Sequence, residues 1–297
     1  MTHNGQGACK VDNDGATLTR RAPRRRLTFQ FMVDVDVVDV HVLRNTDAQW
    51  NTFSSHDYWC RNYLALQAED REIIRHVSRF FVDALAGRRV QQGIDVGSGT
   101  NLYPALLMLP WTEKILLTDF SASNVRWLRR HLEDDAAAWT WQPFWHELHE
   151  KEGYNEIGEP RKQLQEACAG EQGGAGVEQR SVFELEEAQW DLGTMFFVAE
   201  SITEDPAEFR AAVARFVGAL KPGAPFAAAF MAGSDGYPVA GTRFPALPIT
   251  ATDVRDHLAT LGAGGLSVEL LRTKPKVRKG YTGMIVATGF ACSQWGQ

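Results

Sequence analysis

The chain has 297 residues, of which 44% are hydrophobic and 23% are charged, as in ordinary globular proteins. This composition excludes a wholly disordered chain and a small scaffold held by disulfides. A formal net charge of −6 argues against a body that binds nucleic acid. No run of about 18 apolar residues occurs, which predicts no membrane-spanning segment. Four widely spaced cysteines predict free thiols in a reducing, cytoplasmic compartment.

The N-terminal segment is basic. Residues 1–26 contain six Lys or Arg and two Asp, and they lack aromatic residues and apolar periodicity. These features predict a disordered basic arm, with contact to nucleic acid or to a membrane surface as the alternative. Val33, Val35 and Val37 then alternate with acidic residues, which predicts a strand or an extended arm. The carboxylates in this stretch exclude the apolar core of an export signal.

A helical pattern follows the arm. Ser54 and Ser55 are candidate N-caps for a first helix, and a second helix with apolar residues at helical spacing ends at Gly87. Residues 27–90 are therefore predicted to form an N-terminal arm with lid helices.

Strand and helix patterns alternate over the remaining domain, residues 91–297. The predicted strands are residues 91–97, 114–120, 194–200, 225–232, 266–273 and 283–290. The predicted helices between them include residues 105–109, 123–132, 207–220 and 250–261. The alternation predicts a doubly wound, Rossmann-like α/β sheet, and the two adjacent final strands predict an antiparallel pair at one edge.

One segment interrupts this alternation. Residues 139–179 begin with three tryptophans and end in a run rich in Gly, Glu and Gln, which predicts an insertion with a flexible loop. His146 and His149 lie in this segment without an obvious third ligand, and no metal site is predicted.

The sharpest local signal joins a buried strand to a helix. Gly97 and Gly99 follow the strand that contains Asp95, and they allow a tight turn and a close approach of the backbone to a ligand. The next strand ends in Asp119, at a position that binds ribose hydroxyls in such folds. The glycine loop and this acid together predict a cofactor that contains adenosine.

Two cofactor classes compete for such a site. A dinucleotide requires a third glycine where this chain has Leu102, which disfavours NAD and FAD. S-adenosylmethionine has no phosphate and does not require that glycine. A nucleotide-dependent oxidoreductase and a structural glycine turn without a ligand remain open as alternatives.

Four segments resemble motifs of one family. They are similar to the motifs DYxxxYY, DIGSGPTIY, TDYSxxN and YxxGExxFxxLP, and they lie at residues 57–63, 95–103, 118–124 and 237–248. The chain thus resembles the class I S-adenosylmethionine-dependent methyltransferases, and within them the nicotinamide, phenylethanolamine and thioether/indolethylamine methyltransferases. The order and spacing fit over residues 54–290, and the first and last motifs are the specific ones.

The resemblance implies an S-adenosylmethionine site. The residues that it places against the cofactor are Tyr58, Tyr63, Asp95, Gly97, Ser98, Gly99, Thr100, Tyr103, Asp119, Phe120, Asn124, Ser181, Val182 and Phe196. Two positions depart from the family pattern: Ser181 replaces an Asp, and Phe196 replaces a small hydroxyl residue. These departures motivate a non-catalytic S-adenosylmethionine-binding protein as an alternative.

The resemblance also implies an acceptor pocket with Trp59, Glu200, Ser234 and Tyr237. Glu200 is expected at the end of the fourth strand, where a carboxylate can take a proton from an amine acceptor. The prediction is N-methylation of a small aromatic or amine acceptor in specialised metabolism, by a monomer or weak dimer without nucleic-acid or membrane partners. C-methylation of an indole-type ring remains open.

Overall fold

The computed structural model describes residues 42–133, 139–170, 176–272 and 280–292, which belong to one compact unit. The predicted basic arm and the valine-rich strand lie outside these residues. Within the described ranges, no helix combines the length and apolarity needed to cross a membrane. The same ranges contain no group of three or more His, Cys, Asp or Glu side chains placed to hold a metal ion.

A seven-stranded sheet forms the centre of the fold. Its strands are β1 (Val90–Val96), β2 (Thr112–Asp119), β3 (Val177–Gln179), β4 (Leu192–Phe196), β5 (Pro225–Ala232), β8 (Gly264–Leu271) and β9 (Gly283–Phe290). Their order is β3-β2-β1-β4-β5-β9-β8, parallel from β3 to β5, with β9 antiparallel to both of its neighbours. The prediction of a doubly wound, Rossmann-like sheet with an antiparallel edge pair is confirmed. A separate hairpin joins β6 (Tyr237–Val239) to β7 (Thr242–Phe244).

Helices cover both faces of the sheet. They are α1 (Ser55–Asn62), α2 (Ala68–Leu85), α3 (Tyr103–Met108), α4 (Ala122–Glu133), α5 (Gln142–His146), α6 (Pro160–Ala167), α7 (Pro206–Ala219) and α8 (Ala251–Thr260). One apolar cluster contains residues of α2 to α6, and a second contains residues of α7 and α8. Because both faces are covered, β4 and β5 are buried along their whole length and read as continuous apolar runs.

The N-terminus of α7 is capped. Asp205 caps α7, since its side chain accepts a hydrogen bond from the backbone N–H of Ala207, and Pro206 occupies the first helical position. This cap fixes the first turn of α7 at the edge of the sheet, beside the segment that precedes α1.

The segment predicted as an insertion is part of the fold where it is described. It forms α5, α6 and the edge strand β3, and Trp141, Phe144 and Tyr154 are buried in the core. The Tyr154 hydroxyl accepts a hydrogen bond from the Trp111 indole at 3.1 Å. α5 and β3 are too short to show a clear period, which explains why the sequence does not predict them.

The fourth strand is shorter than predicted. It ends at Phe196, because Phe197 adopts a left-handed backbone conformation with φ of 62°. A short 3-10 turn, Ala199–Ser201, follows. Glu200 therefore lies on a turn beyond the strand, and not on the strand itself.

Candidate functional site

A cleft opens at the carboxyl edge of the sheet. The sheet order reverses between β1 and β4, and ligands bind at such switch points in open α/β folds. The space between its walls, counted together with the open mouth of the cleft, is about 750 Å³. The predicted residues that line it are Tyr58, Tyr63, Gly97, Ser98, Gly99, Thr100, Asp119, Phe120, Asn124, Ser181, Val182, Phe196 and Tyr237.

The glycine loop forms the floor of the cleft. Gly97 and Gly99 both have positive φ, at 66° and 60°. A Cβ atom on Gly97 would lie 2.5 Å from Cγ2 of Val198, whereas a Cβ atom on Gly99 would meet no heavy atom closer than 3.8 Å. Gly97 is therefore required by packing, and Gly99 keeps the loop open toward the cleft.

Asp119 connects the glycine loop to the end of β2. Its Oδ2 atom accepts a hydrogen bond from the Gly99 N–H at 2.9 Å, and its Oδ1 atom accepts from the Ser121 N–H at 2.7 Å and from Asn124 Nδ2 at 3.1 Å. A carboxylate offers about four acceptor positions, so Oδ2 retains one for a ligand hydroxyl. Burial raises the pKa of Asp119 to about 6.

This pKa predicts a pH-dependent cofactor affinity. A neutral carboxyl group accepts hydrogen bonds from ribose hydroxyls less well than a carboxylate, so binding favours the ionised form of Asp119. As pH falls below about 6, the affinity for S-adenosylhomocysteine is expected to fall by up to about tenfold per pH unit. Calorimetric titrations between pH 5 and pH 8 measure this. Asp119→Asn should remove the dependence; its persistence in that variant would assign it to another group.

Three further side chains line the cleft near the end of β2. Phe120 lines the cleft with 45% of its surface exposed, which offers a flat apolar platform beside Asp119. Ser181 lines it too, and its Oγ atom accepts a hydrogen bond from the Phe183 N–H at 3.3 Å. Arg180 also lies in this wall, although no sequence motif indicated it.

Polar atoms without partners surround the glycine loop. Among the described residues, no hydrogen-bond partner exists for Thr100 Oγ1, Asn101 Nδ2 or Asp95 Oδ2, and all three atoms are buried. The other Asp95 oxygen accepts from Thr194 Oγ1 at 2.7 Å, and burial raises the pKa of Asp95 to about 7. Buried polar groups in native proteins are normally paired. Two donors and one acceptor fit the carboxylate and ammonium groups of an amino acid, and Asn101 is an addition to the predicted site.

The first helix closes the cleft from the N-terminal side. Tyr58 packs against Tyr63 and Tyr237, with ring centroids 6.2 and 6.1 Å apart. Ser55 fastens α1 to α4 by donating to Asn124 Oδ1 at 2.8 Å. Because Asn124 also donates to Asp119, the helix and the acid at the end of β2 share one hydrogen-bond chain.

Asp95 and Glu200 do not line the cleft, and three further predicted side chains also lie outside its lining. Trp59 packs against Trp127 on α4, with ring centroids 6.4 Å apart. The Tyr103 hydroxyl donates to Asp70 Oδ1 at 3.2 Å, and Ser234 is fully buried. None of the three lines the cleft in this structure, and their predicted ligand contacts remain predictions.

Glu200 also lies behind the cleft wall. It is fully buried, and its Oε1 atom accepts from the Met231 N–H at 2.9 Å and from Ser201 Oγ at 3.1 Å. Its neighbour Ser201 lines the cleft instead. Glu200 thus holds the turn after β4 against β5, and its predicted catalytic role remains a prediction.

The sheet order, the glycine loop and the acid at the end of β2 define a Rossmann-like methyltransferase. A family model matches residues 39–285, and the chain belongs to the NNMT/PNMT/TEMT family. The predicted family is confirmed. With it, the predictions of an S-adenosylmethionine-dependent methyltransferase and of S-adenosylmethionine as its cofactor are confirmed at the level of class.

Individual proteins show more limited similarity. Nicotinamide N-methyltransferase of Sus scrofa is 29% identical over 101 residues, which is 33% of this chain and 38% of that relative. The match therefore spans less than half of the relative's length. Among solved structures, N-methyltransferase NodS of Bradyrhizobium japonicum, in complex with S-adenosylhomocysteine, is 12% identical with a TM-score of 0.46, covering 80% of this chain and 99% of that one. The 1,6-didemethyltoxoflavin-N1-methyltransferase of Burkholderia thailandensis is 15% identical with a TM-score of 0.44, covering 80% and 82%.

Proposed function

We propose that this protein transfers the methyl group of S-adenosylmethionine to a nitrogen of a small, uncharged aromatic acceptor. The observation that carries the proposal is that the cleft has a polar part and an aromatic part. Carboxylate, amide and hydroxyl groups surround its glycine loop, and aromatic rings without a further carboxylate form its other walls.

The residues around the glycine loop fit the cofactor. Asp119 retains an acceptor position for a ribose hydroxyl, and Phe120 offers a platform for adenine. Thr100 and Asn101 have unpaired buried donors suited to the methionine carboxylate, and Asp95 has an unpaired buried acceptor near the same loop. The cofactor, when bound, supplies an electrophilic methyl group on a sulfonium.

The aromatic walls define the acceptor class. Phe53, Tyr58 and Tyr237 line this part, and among the described lining residues Asp119 is the sole carboxylate. An arylalkylammonium ion would find no counterion here, and a buried unpaired charge is costly. A neutral aromatic ring buries well against these rings. A pyridine-type ring nitrogen has an available lone pair and loses no proton on methylation, so the site needs no general base for it.

Catalysis then depends on alignment and exclusion of water. The hydrogen-bond chain from Ser55 through Asn124 to Asp119 orders α1 over the cofactor side. Tyr58 and Tyr237 pack together on the aromatic side. A fixed geometry of acceptor nitrogen, methyl carbon and sulfur lowers the entropic part of the barrier to displacement.

An acceptor panel tests the proposal. The purified protein is incubated with S-adenosylmethionine and with pyridines, arylalkylamines, indoles and thioethers, and products are identified by mass spectrometry with fragmentation. Neutral pyridine-type compounds should gain one methyl group on nitrogen. Carbon-methylated indoles would support the C-methylation alternative. Cofactor binding without transfer to any acceptor class would support a non-catalytic binding protein.

Glu200→Gln separates a positioning role from a catalytic one. Because the buried carboxylate accepts hydrogen bonds from the Met231 N–H and from Ser201 Oγ, the substitution should lower the free energy of unfolding by about 1–3 kcal/mol. Turnover at saturation should fall less than about tenfold. Chemical denaturation and steady-state kinetics on the same preparation measure both, with Ser201→Ala as a matched variant. A turnover loss of roughly 10²-fold or more with unchanged stability would support general-base catalysis.

A further inference from the structure

The segment before α1 is hydrogen-bonded to the start of α7, through Glu204 just before the helix and Glu208 in its first turn. The Leu43 N–H donates to Glu204 Oε2 at 3.2 Å, and the Leu43 carbonyl accepts from the Glu204 N–H at 2.7 Å. Asn45 donates its backbone N–H to Glu208 Oε2 at 2.9 Å, and its carbonyl accepts from Trp50 Nε1 at 2.9 Å. Both backbone polar groups of Asn45 are thus paired, which fixes the residue in the cleft wall.

The backbone groups of Asn45 have hydrogen-bond partners in the protein, but its side-chain amide has none among the described residues. Asn45 lines the cleft with 6% of its surface exposed, and its amide makes no hydrogen bond with any residue in the described ranges. The amide therefore has two donor hydrogens and one acceptor oxygen available to a ligand in the cleft. Since the amide lies in a ligand-binding cleft, a bound ligand is the natural source of its hydrogen-bond partners.

Two contacts place Asn45 at the adenine side of the cleft. The Trp50 indole donates to the Asn45 carbonyl, and the Trp50 backbone carbonyl accepts a hydrogen bond from Ser121 Oγ at 3.4 Å. Ser121 directly follows the exposed ring of Phe120. On the other side, α7 carries Glu208 and packs on the 3-10 turn Val182–Glu184. Asn45 therefore lies between the two features that border the proposed adenine site.

Adenine needs a polar partner at this end. Its exocyclic amino group is a donor and its neighbouring ring nitrogens are acceptors, and an amide side chain matches such a pair with two hydrogen bonds. The other candidates fit less well. Ser181 Oγ already accepts from Phe183, and the Arg180 guanidinium has no acceptor atom.

We infer that Asn45 recognises the adenine base of the cofactor: Oδ1 accepts from the amino group and Nδ2 donates to an adjacent ring nitrogen. The inference rests on the proposed function in taking the cofactor to be S-adenosylmethionine. It assigns a specificity-determining role to a residue outside every motif in the sequence.

A binding cycle tests this assignment. The ligands are S-adenosylhomocysteine and its analogue without the 6-amino group, titrated by calorimetry against wild type, Asn45→Ala and Asn45→Leu. Both variants keep the backbone groups that bind Glu208 and Trp50, and Leu preserves the approximate shape. Asn51→Ala is the matched control, because Asn51 is exposed on the same segment.

The expected pattern is non-additive. Each Asn45 variant should bind S-adenosylhomocysteine about tenfold more weakly than wild type, which is the scale of a bidentate amide–base contact. Wild type should bind the analogue about tenfold more weakly than S-adenosylhomocysteine. Each Asn45 variant should bind the two ligands with nearly equal affinity. The control should match wild type with both ligands.

Three results would overturn the inference. One is unchanged affinity in the Asn45 variants, and another is an equal loss for both ligands, which indicates a structural role. The third is a higher acceptor KM with unchanged cofactor affinity, which places Asn45 against the acceptor. If wild type itself does not bind S-adenosylhomocysteine, the proposed function fails, and this inference fails with it.

Discussion

Asp119→Ala is expected to weaken binding of S-adenosylhomocysteine by about 2–4 kcal/mol, which is roughly 30- to 900-fold. The substitution removes the charge-assisted contact to the ribose. It also removes the acceptor for the Gly99 N–H, the Ser121 N–H and Asn124, so the loop and the end of β2 lose their connection. Isothermal titration calorimetry at pH 7.5 measures the change.

The control for this prediction lies on the same strand. Glu113 is an exposed acid at the opposite end of β2, and Glu113→Ala removes one negative charge far from the cleft. It should leave the affinity unchanged. An Asp119→Ala variant that folds and binds S-adenosylhomocysteine like wild type would exclude this acid from the cofactor site.

Gly97→Ala should have the largest effect on stability, with an expected loss of about 2–5 kcal/mol in the free energy of unfolding. The left-handed backbone conformation at this position costs a non-glycine residue about 1–2 kcal/mol. The added methyl group meets the Val198 side chain at 2.5 Å, and overpacking of this kind costs about 1–3 kcal/mol. Urea unfolding followed by circular dichroism measures the difference.

Gly99→Ala provides the matched comparison. Gly99 has nearly the same φ, but its added methyl group would meet no described heavy atom within 3.8 Å. The stability loss should be confined to about 1–2 kcal/mol, while affinity for S-adenosylhomocysteine falls because the methyl group enters the cleft. Equal stability losses in the two variants would show that the Val198 contact is not the cause.

The sequence predicts the central fold well, for a physical reason. Strands buried on both faces, such as β4 and β5, appear as uninterrupted apolar runs, and the helices between strands keep a helical period. Most of the elements that it does not predict are short. β3 has three residues and α5 has five, too few to show a period. The left-handed Phe197 that ends β4 early has no sequence signal, because it is not a glycine.

The sequence likewise predicts only part of the candidate site. Motifs place a segment near the cleft, but they do not determine which side chains face it. Tyr58 and Trp59 are consecutive on α1 and point about 100° apart, so when Tyr58 faces the cleft Trp59 packs against α4. Asn45 and Arg180 belong to no motif, and long-range packing brings them to the cleft wall. Such tertiary placement is not encoded in any local pattern.

The most direct test of this account is a calorimetric titration of the purified chain with S-adenosylhomocysteine and, in parallel, with NAD. The glycine loop, Asp119 and the unpaired polar atoms of Thr100 and Asn101 predict saturable one-to-one binding of S-adenosylhomocysteine. NAD should give no binding, because Leu102 occupies the position of the third glycine that a dinucleotide requires. Binding of NAD without binding of S-adenosylhomocysteine would contradict the assignment of the cleft to a methyl donor.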